Sequence, residues 1–300
     1  MKISKGAIFI FISAVFWGTA GIFVNSLRDN YRIEALQIVL GRAFFTVIPL
    51  GIAMLLIDKR LFKIKIKDSV YFALTGIGSI TLFNFCYFQT MKYTSLSVAA
   101  VLLYTAPIFV MIISSVFFKE KITLLKVVCC LLAVVGCAFV SGLTGSAETI
   151  GIKGIAYGLM TGFGYSLYGI FSGILIKKGY SSLTVNFYAF VFTFASVCLL
   201  LVKDLGHTVS LYTVGWQPVL IAFAMGLINT VIPYVLYAEG LKDVKHSLGI
   251  IIATVEPIVA TLSGIVFYKQ YPDVFGYIGI ILVLGSVMVL NLSKGEQCEA

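Results

Sequence analysis

Ten runs of about 20 consecutive apolar residues, separated by short charged or turn-forming breaks, leave this chain one environment in which to fold. A bilayer core about 30 Å thick takes roughly 20 apolar residues per helix, whereas a water-soluble domain carries about a quarter of its residues charged. Here 60% of the 300 residues are hydrophobic and 12% are charged. The runs cover approximately 7–27, 35–57, 69–91, 96–118, 124–142, 152–176, 183–202, 216–238, 247–268 and 274–292. Breaks such as Arg28-Asp29-Asn30, Asp58-Lys59-Arg60 and Lys119-Glu120-Lys121 punctuate them. The intervening segments are too short to form a domain of their own.

The first run follows Lys2 and Lys5 in the manner of a signal peptide, but its length and the nine runs after it mark a retained helix. A β-barrel is excluded, because barrel strands alternate apolar and polar over about ten residues and these runs are apolar all round. The expected fold class is an all-α polytopic membrane protein with ten transmembrane helices. The formal charge of +9 would point to nucleic acid in a soluble protein; confined to short loops, it orients the chain instead. Fifteen Lys and Arg residues fall on the side of the N-terminus and six on the other, which predicts a cell (inner or plasma) membrane protein with both termini cytoplasmic.

The chain also matches itself. A shift of 150 residues lays 76–119 on 226–269 without a gap, pairing Gly76 with Gly226, Tyr87 with Tyr237, Ser97 with Ser247 and Pro107-Ile108 with Pro257-Ile258. A shift of 148 aligns Gly21-Ile22-Phe23 with Gly169-Ile170-Phe171. The expected units are 1–146 and 147–300, each of five spans and together one membrane domain. Five is odd, so the second unit enters the bilayer upside down. Two inverted bundles can rock so that a site between them faces either side in turn. Gly154, Gly158 and Gly162 form a row that permits close helix approach, read as ordinary packing.

Phe16-Trp17-Gly18, the run Tyr104–Thr123 with its Lys119-Glu120-Lys121 ending, and Ala253–Phe267 give the chain its family resemblance. In these segments, and in span number, repeat length, the proline of spans 4 and 9 and the arginine early in span 2, it resembles the EamA-type carriers of the drug/metabolite transporter superfamily. The resemblance covers nearly the whole chain. It implies a ten-helix carrier whose central cavity is lined mainly by spans 1, 3, 4, 6, 8 and 9 and which moves small organic metabolites, often outward. One departure is Gln270, where the family tends to repeat the acidic residue that follows span 4.

Charges deep in a span are expensive and face a cavity or a partner. Glu256 lies ~15 Å into span 9 at 1.5 Å per residue, close to the midplane. It is read either as a cavity carboxylate, meeting a cationic group of the solute or taking up a proton, or as half of an ion pair holding span 9, with Arg42 as the candidate partner. Arg42 lies ~12 Å into span 2 by the same rise; a guanidinium there can hold a solute carboxylate bidentately, but it is expected to brace the bundle, since the family places that span outside the cavity. Pro107 and Pro257 are expected to kink spans 4 and 9, as mid-helix prolines do, and are assigned to gating. Asn84 and Asn229 are expected to face the cavity, because an amide turned to lipid is unsatisfied. Trp17, Tyr104, Tyr165, Tyr168, Tyr234 and Tyr237 are candidate aromatic walls for a flat or amphipathic solute.

No catalytic constellation assembles: His207 and His246 stand at opposite ends of the bundle, and neither a zinc site nor a nucleotide motif has enough residues. The cysteines carry no CxxC and read as small core residues. No metal, cofactor or nucleic-acid partner is expected. The reading is a secondary transporter for small-molecule metabolites, led by amino acids or related amphipathic solutes and running outward. It is driven by a coupling proton or an exchanged solute and works as a monomer or homodimer. An intramembrane enzyme or a non-transporting scaffold is the alternative.

Overall fold

The computed structural model describes residues 4–94, 96–140, 151–269, 271 and 273–292, and among these every regular element is helical. Eight helices are long and apolar enough to cross a bilayer: α1 Lys5–Tyr31, α2 Ala35–Ile57, α3 Ile66–Tyr93, α4 Val98–Phe117, α6 Ile152–Lys177, α7 Ser182–Leu200, α8 Trp216–Gly240 and α9 His246–Phe267. Two shorter apolar helices, α5 Leu124–Val140 and α10 Val274–Val289, complete the ten. Hydrocarbon offers no hydrogen bonds, so each segment satisfies its backbone internally. Large apolar side chains such as Leu56, Val116, Val266 and Ile281 point outward from the bundle.

Polar side chains fix the helix ends. Ser4 Oγ accepts from the Ala7 N–H at 3.1 Å to start α1, two residues before the apolar run begins. Glu34 and Gln37 form a capping box at the start of α2. Ser181 Oγ accepts from the Thr184 N–H at 3.1 Å ahead of α7. A short helix, Leu205–Thr213, occupies what the sequence suggests is a plain loop. It packs on α2, with Gln37 Nε2 donating to Thr208 Oγ1 at 3.1 Å and Tyr212 Oη donating to the Gln37 carbonyl at 3.2 Å.

The helices pack in pairs: α1 against α8 and α9, α6 against α3 and α4, α2 against α7 and α8, α7 against α3, and α5 against α10. Glycine makes two of these contacts close. At the α5–α10 crossing a Cβ on Gly136 would meet the Gly279 carbonyl oxygen, and a Cβ on Gly279 would meet that of Gly136. On α6, Gly158 and Gly162 lie against Leu102 and Thr105 of α4, so the glycine row does serve packing.

Five helices are irregular at mid-depth. α1 breaks at Thr19 between Lys5–Gly18 and Ala20–Tyr31. α4 breaks at Tyr104-Thr105, and α9 at Thr254-Val255. α3 and α8 widen into π-helical turns at Leu74–Thr81 and Leu227–Val231. Pro107 and Pro257 therefore differ from the mid-helix kinks expected of them. Each sits in the first turn of a new helical segment, where its missing N–H costs nothing.

Candidate functional site

Four of the irregular helices, α1, α3, α8 and α9, converge with α6 on a cluster of aromatic rings near the middle of the bundle. Trp17 precedes the break in α1, where the Phe16 carbonyl accepts from Thr19 Oγ1 at 2.7 Å and from Asn229 Nδ2 at 2.5 Å. The indole stands edge-on to Tyr234, with centroids 5.1 Å apart, and tilted against Tyr237 at 5.3 Å. Tyr168 meets Tyr234 at 4.8 Å, and Tyr165 meets Phe83 at 5.4 Å. Such edge-to-face contacts hold rings in fixed orientations as well as burying them.

Trp17, Tyr165, Tyr168, Tyr234 and Tyr237 enclose a cavity together with Ser79, Ile80, Phe83, Gly169 and Ile250. Its walls come from α1, α3, α6, α8 and α9. Of the spans that the resemblance implies, α4 is missing from this lining. The space is small, about 10 Å³ open to the centre of a water molecule, which is roughly enough for one water. The rings themselves fill the centre.

Around this cluster the polar groups are placed asymmetrically. Tyr168 Oη donates to Asn186 Oδ1 at 2.7 Å, and Asn186 Nδ2 donates to the Tyr234 carbonyl at 3.2 Å, a tie between α6, α7 and α8. Nothing in the sequence singled out Asn186, since it stands one turn into its span. Trp17 Nε1 is buried without a hydrogen-bond partner. Glu256 is the first residue of the second segment of α9, where the helix dipole favours a carboxylate. Its Oε2 accepts from Tyr165 Oη at 3.0 Å, and Tyr87, Tyr104 and Cys137 are within electrostatic reach. Tyr104 packs beside it with Leu103, Cys137, Ile258 and Val283 rather than on the cavity.

The remaining candidates stand elsewhere. Asn84 Nδ2 turns along its own helix to the Ile80 carbonyl at 2.6 Å, and the Asn229 amide serves the break in α1. No ion pair joins Glu256 to Arg42. Arg42 Nε and Nη2 are buried and unpartnered.

A second cluster closes the end of the bundle at which α1 begins. Glu120, after α4, caps α9: Oε1 accepts from the His246 N–H at 2.8 Å, and Oε2 accepts from the Ser247 N–H at 3.4 Å and from the Ser247 hydroxyl. Lys126 Nζ stands 3.9 Å from Oε2. The His246 ring stacks on Phe118 at 3.9 Å, over which Lys177 Nζ sits at 4.6 Å. A Cβ on Gly173 of α6 would strike His246, so glycine is what lets the imidazole in. Burial alone would raise the Glu120 pKa, but the hydrogen bonds from His246 and Ser247 outweigh it and hold the carboxyl at about 2. The sequence marked Glu120 only as an acidic residue after span 4. A contact across 126 positions leaves no local signal.

The comparisons with known proteins agree with this architecture. The model of the EamA-like transporter family matches residues 4–142 and 152–292. The chain is 24% identical to the uncharacterized transporter YxxF of Bacillus subtilis over 98% of this chain and 91% of that protein. It is 25% identical to an uncharacterized transporter of Clostridium kluyveri, covering 98% and 95%. With the uncharacterized inner membrane transporter YicL of Salmonella typhimurium it shares 19% identity, covering 99% and 98%. A solved structure described as the crystal structure of a protein superposes with a TM-score of 0.79 at 19% identity, covering 97% of this chain and 98% of its own, and so shares the fold.

Proposed function

The chain belongs to the EamA-like transporter family, and from that premise we propose that it carries amphipathic amines, amino acids foremost, outward through the aromatic cluster by alternating access. The coarser statement is the family's: a multi-pass membrane transporter of small molecules rather than an enzyme.

The observation that carries the proposal is the convergence of four interrupted helices, α1, α3, α8 and α9, with α6 on Trp17, Tyr165, Tyr168, Tyr234 and Tyr237 beside the Glu256 carboxylate. Aromatic faces and a carboxylate together suit a cationic group attached to an apolar body. The unpartnered Trp17 N–H supplies a donor for a solute oxygen. Interrupted helices at mid-depth are the usual way a membrane protein exposes backbone to cargo. The small cavity corresponds to a closed state, and opening separates the rings.

The two units, 1–146 and 147–300, act in this reading as inverted halves. Exchanging α1 with α6, α2 with α7, α3 with α8, α4 with α9 and α5 with α10 turns the main packing pairs into one another. The π-helical turns of α3 and α8 correspond in the same exchange, as do the breaks in α4 and α9. The family model also matches in two stretches divided near that boundary. Glu120 then fastens the first half to the second at the cytoplasmic end, and alternation releases it. An ion gradient or an exchanged solute drives the cycle.

The test is counterflow in proteoliposomes of the full chain, with a panel of labelled L-amino acids and primary amines. Saturable, trans-stimulated uptake of amine-bearing solutes is the expected result. Uptake of none of them, or flux that neither saturates nor responds to trans solute, overturns the reading.

A further inference from the structure

Arg42 is the eighth residue of α2 and is partly exposed, but one edge of its guanidinium is withdrawn from solvent. Its Nε and Nη2 are buried without hydrogen-bond partners, and no carboxylate among the described residues pairs with it. A guanidinium cannot shed its proton to escape that cost. Buried donors of a cation persist where an acceptor is supplied, and none of the described residues supplies one to Nε and Nη2.

Two relationships say what the partner is. First, Nε–H and one N–H of Nη2 lie along the same edge of the planar guanidinium and point the same way. That edge holds the two oxygens of one carboxylate in parallel bonds, so the two orphaned donors form one bidentate seat rather than two separate defects. Second, Arg42 is tied electrically to the aromatic cluster. Tyr234, whose ring stands 5.1 Å from Trp17 and lines the cavity, interacts with both the Arg42 and the Glu256 charges. The cluster thus has a cation at α2 and an anion at α9.

We propose that Arg42 is a substrate-binding residue whose Nε/Nη2 edge receives a carboxylate of the transported solute, so that the cargo is zwitterionic. This rests on the carrier reading above and narrows it from amphipathic amines to solutes bearing both charges. The amine is directed to the Glu256 side and the apolar body to Trp17, Tyr234 and Tyr237. An inorganic anion such as chloride could meet the same two donors, and the experiment separates the two sources.

The experiment uses the full chain in proteoliposomes with internal L-amino acids, in chloride or gluconate buffer. Each L-amino acid that drives counterflow is competed with its free acid and with its primary carboxamide, which keeps the amine and loses the carboxylate. The wild type is expected to prefer the free acid by about tenfold to a hundredfold, the range of a charge-assisted pair, equally in both buffers. Arg42→Gln is expected to bring that ratio close to one while still taking up the carboxamide, and Arg42→Lys to restore part of it. Free acid is expected to raise the thermal midpoint of the wild type in detergent but not that of Arg42→Gln. Equal competition by acid and carboxamide in the wild type, an unchanged preference in Arg42→Gln, or flux lost in gluconate would each overturn the assignment. The carrier reading survives any of these, since it fails only when the wild type shows no counterflow at all.

Discussion

Glu120 and His246 meet across the start of α9, the carboxylate accepting from the His246 backbone N–H at 2.8 Å while its Oε1 lies 3.3 Å from the ring Nδ1. One acidic side chain thereby caps α9 from the loop that follows α4. Its pKa of about 2, against an ordinary 4.5, makes the contact dependent on pH. A depressed carboxyl contributes stability that is present above its unfolded value and lost as pH falls through the folded one. The window is therefore from 4.5 down to about 2, and the contribution is on the order of 3 kcal/mol. The thermal midpoint of the wild type in detergent is expected to fall across that window by more than that of Glu120→Gln. Parallel curves would rule out a stabilising role for the pair.

Tyr165→Phe removes the one hydrogen bond that, among the described residues, a side chain donates to the Glu256 carboxylate. Loss of a bond to a charged acceptor corresponds to about a tenfold effect or more. Counterflow of an amine-bearing solute is expected to fall by that order in Tyr165→Phe and further in Glu256→Gln, with folding preserved as judged by monodispersity. Unchanged flux in Glu256→Gln removes the carboxylate from the transport cycle.

Gly162 of α6 faces the Leu102 carbonyl and Thr105 beside the break in α4. A larger side chain there overpacks the contact, at a cost of about 1–3 kcal/mol. Gly162→Leu is expected to lower the thermal midpoint by several degrees, and Gly206→Leu, where a Cβ meets nothing, is expected to leave it in place. The comparison is read by scanning fluorimetry.

The loop charges predict an orientation that labelling checks. Cysteines placed singly at Lys63 and Lys121 are expected to resist a membrane-impermeant maleimide on intact cells, while cysteines at Arg32 and Lys203 are expected to react. The reverse pattern would place the termini outside and with them the Glu120 contact.

The helices themselves were legible because hydrocarbon imposes one rule on every segment: a long apolar run ended by charge. The spans found agree with those runs to within a few residues; α1 and α3 overrun theirs at both ends, α1 because Ser4 caps it early and the Arg28-Asp29-Asn30 break stays helical. The aromatic lining was half legible. Five of its rings had been singled out by type, but Ser79, Ile80 and Phe83 had not. Ser79 and Ile80 are placed by the π-helical turn of α3, and an added residue in a turn shifts every later side chain around the helix without altering composition. Asn84 misled for a related reason: its amide satisfies itself on the carbonyl one turn earlier, so depth in the membrane did not translate into a cavity position.

The mutual contact of Gly136 and Gly279 bears on how the molecule moves. Where two helices touch main chain to main chain, each carbonyl sits in the notch left by the other's missing side chain. Displacement along the axes would drive bulkier neighbours, Val283 and Leu282 on one side and Phe139 on the other, into those notches. The crossing therefore resists translation, and it locks α5 and α10 in register against each other at the edge of the bundle.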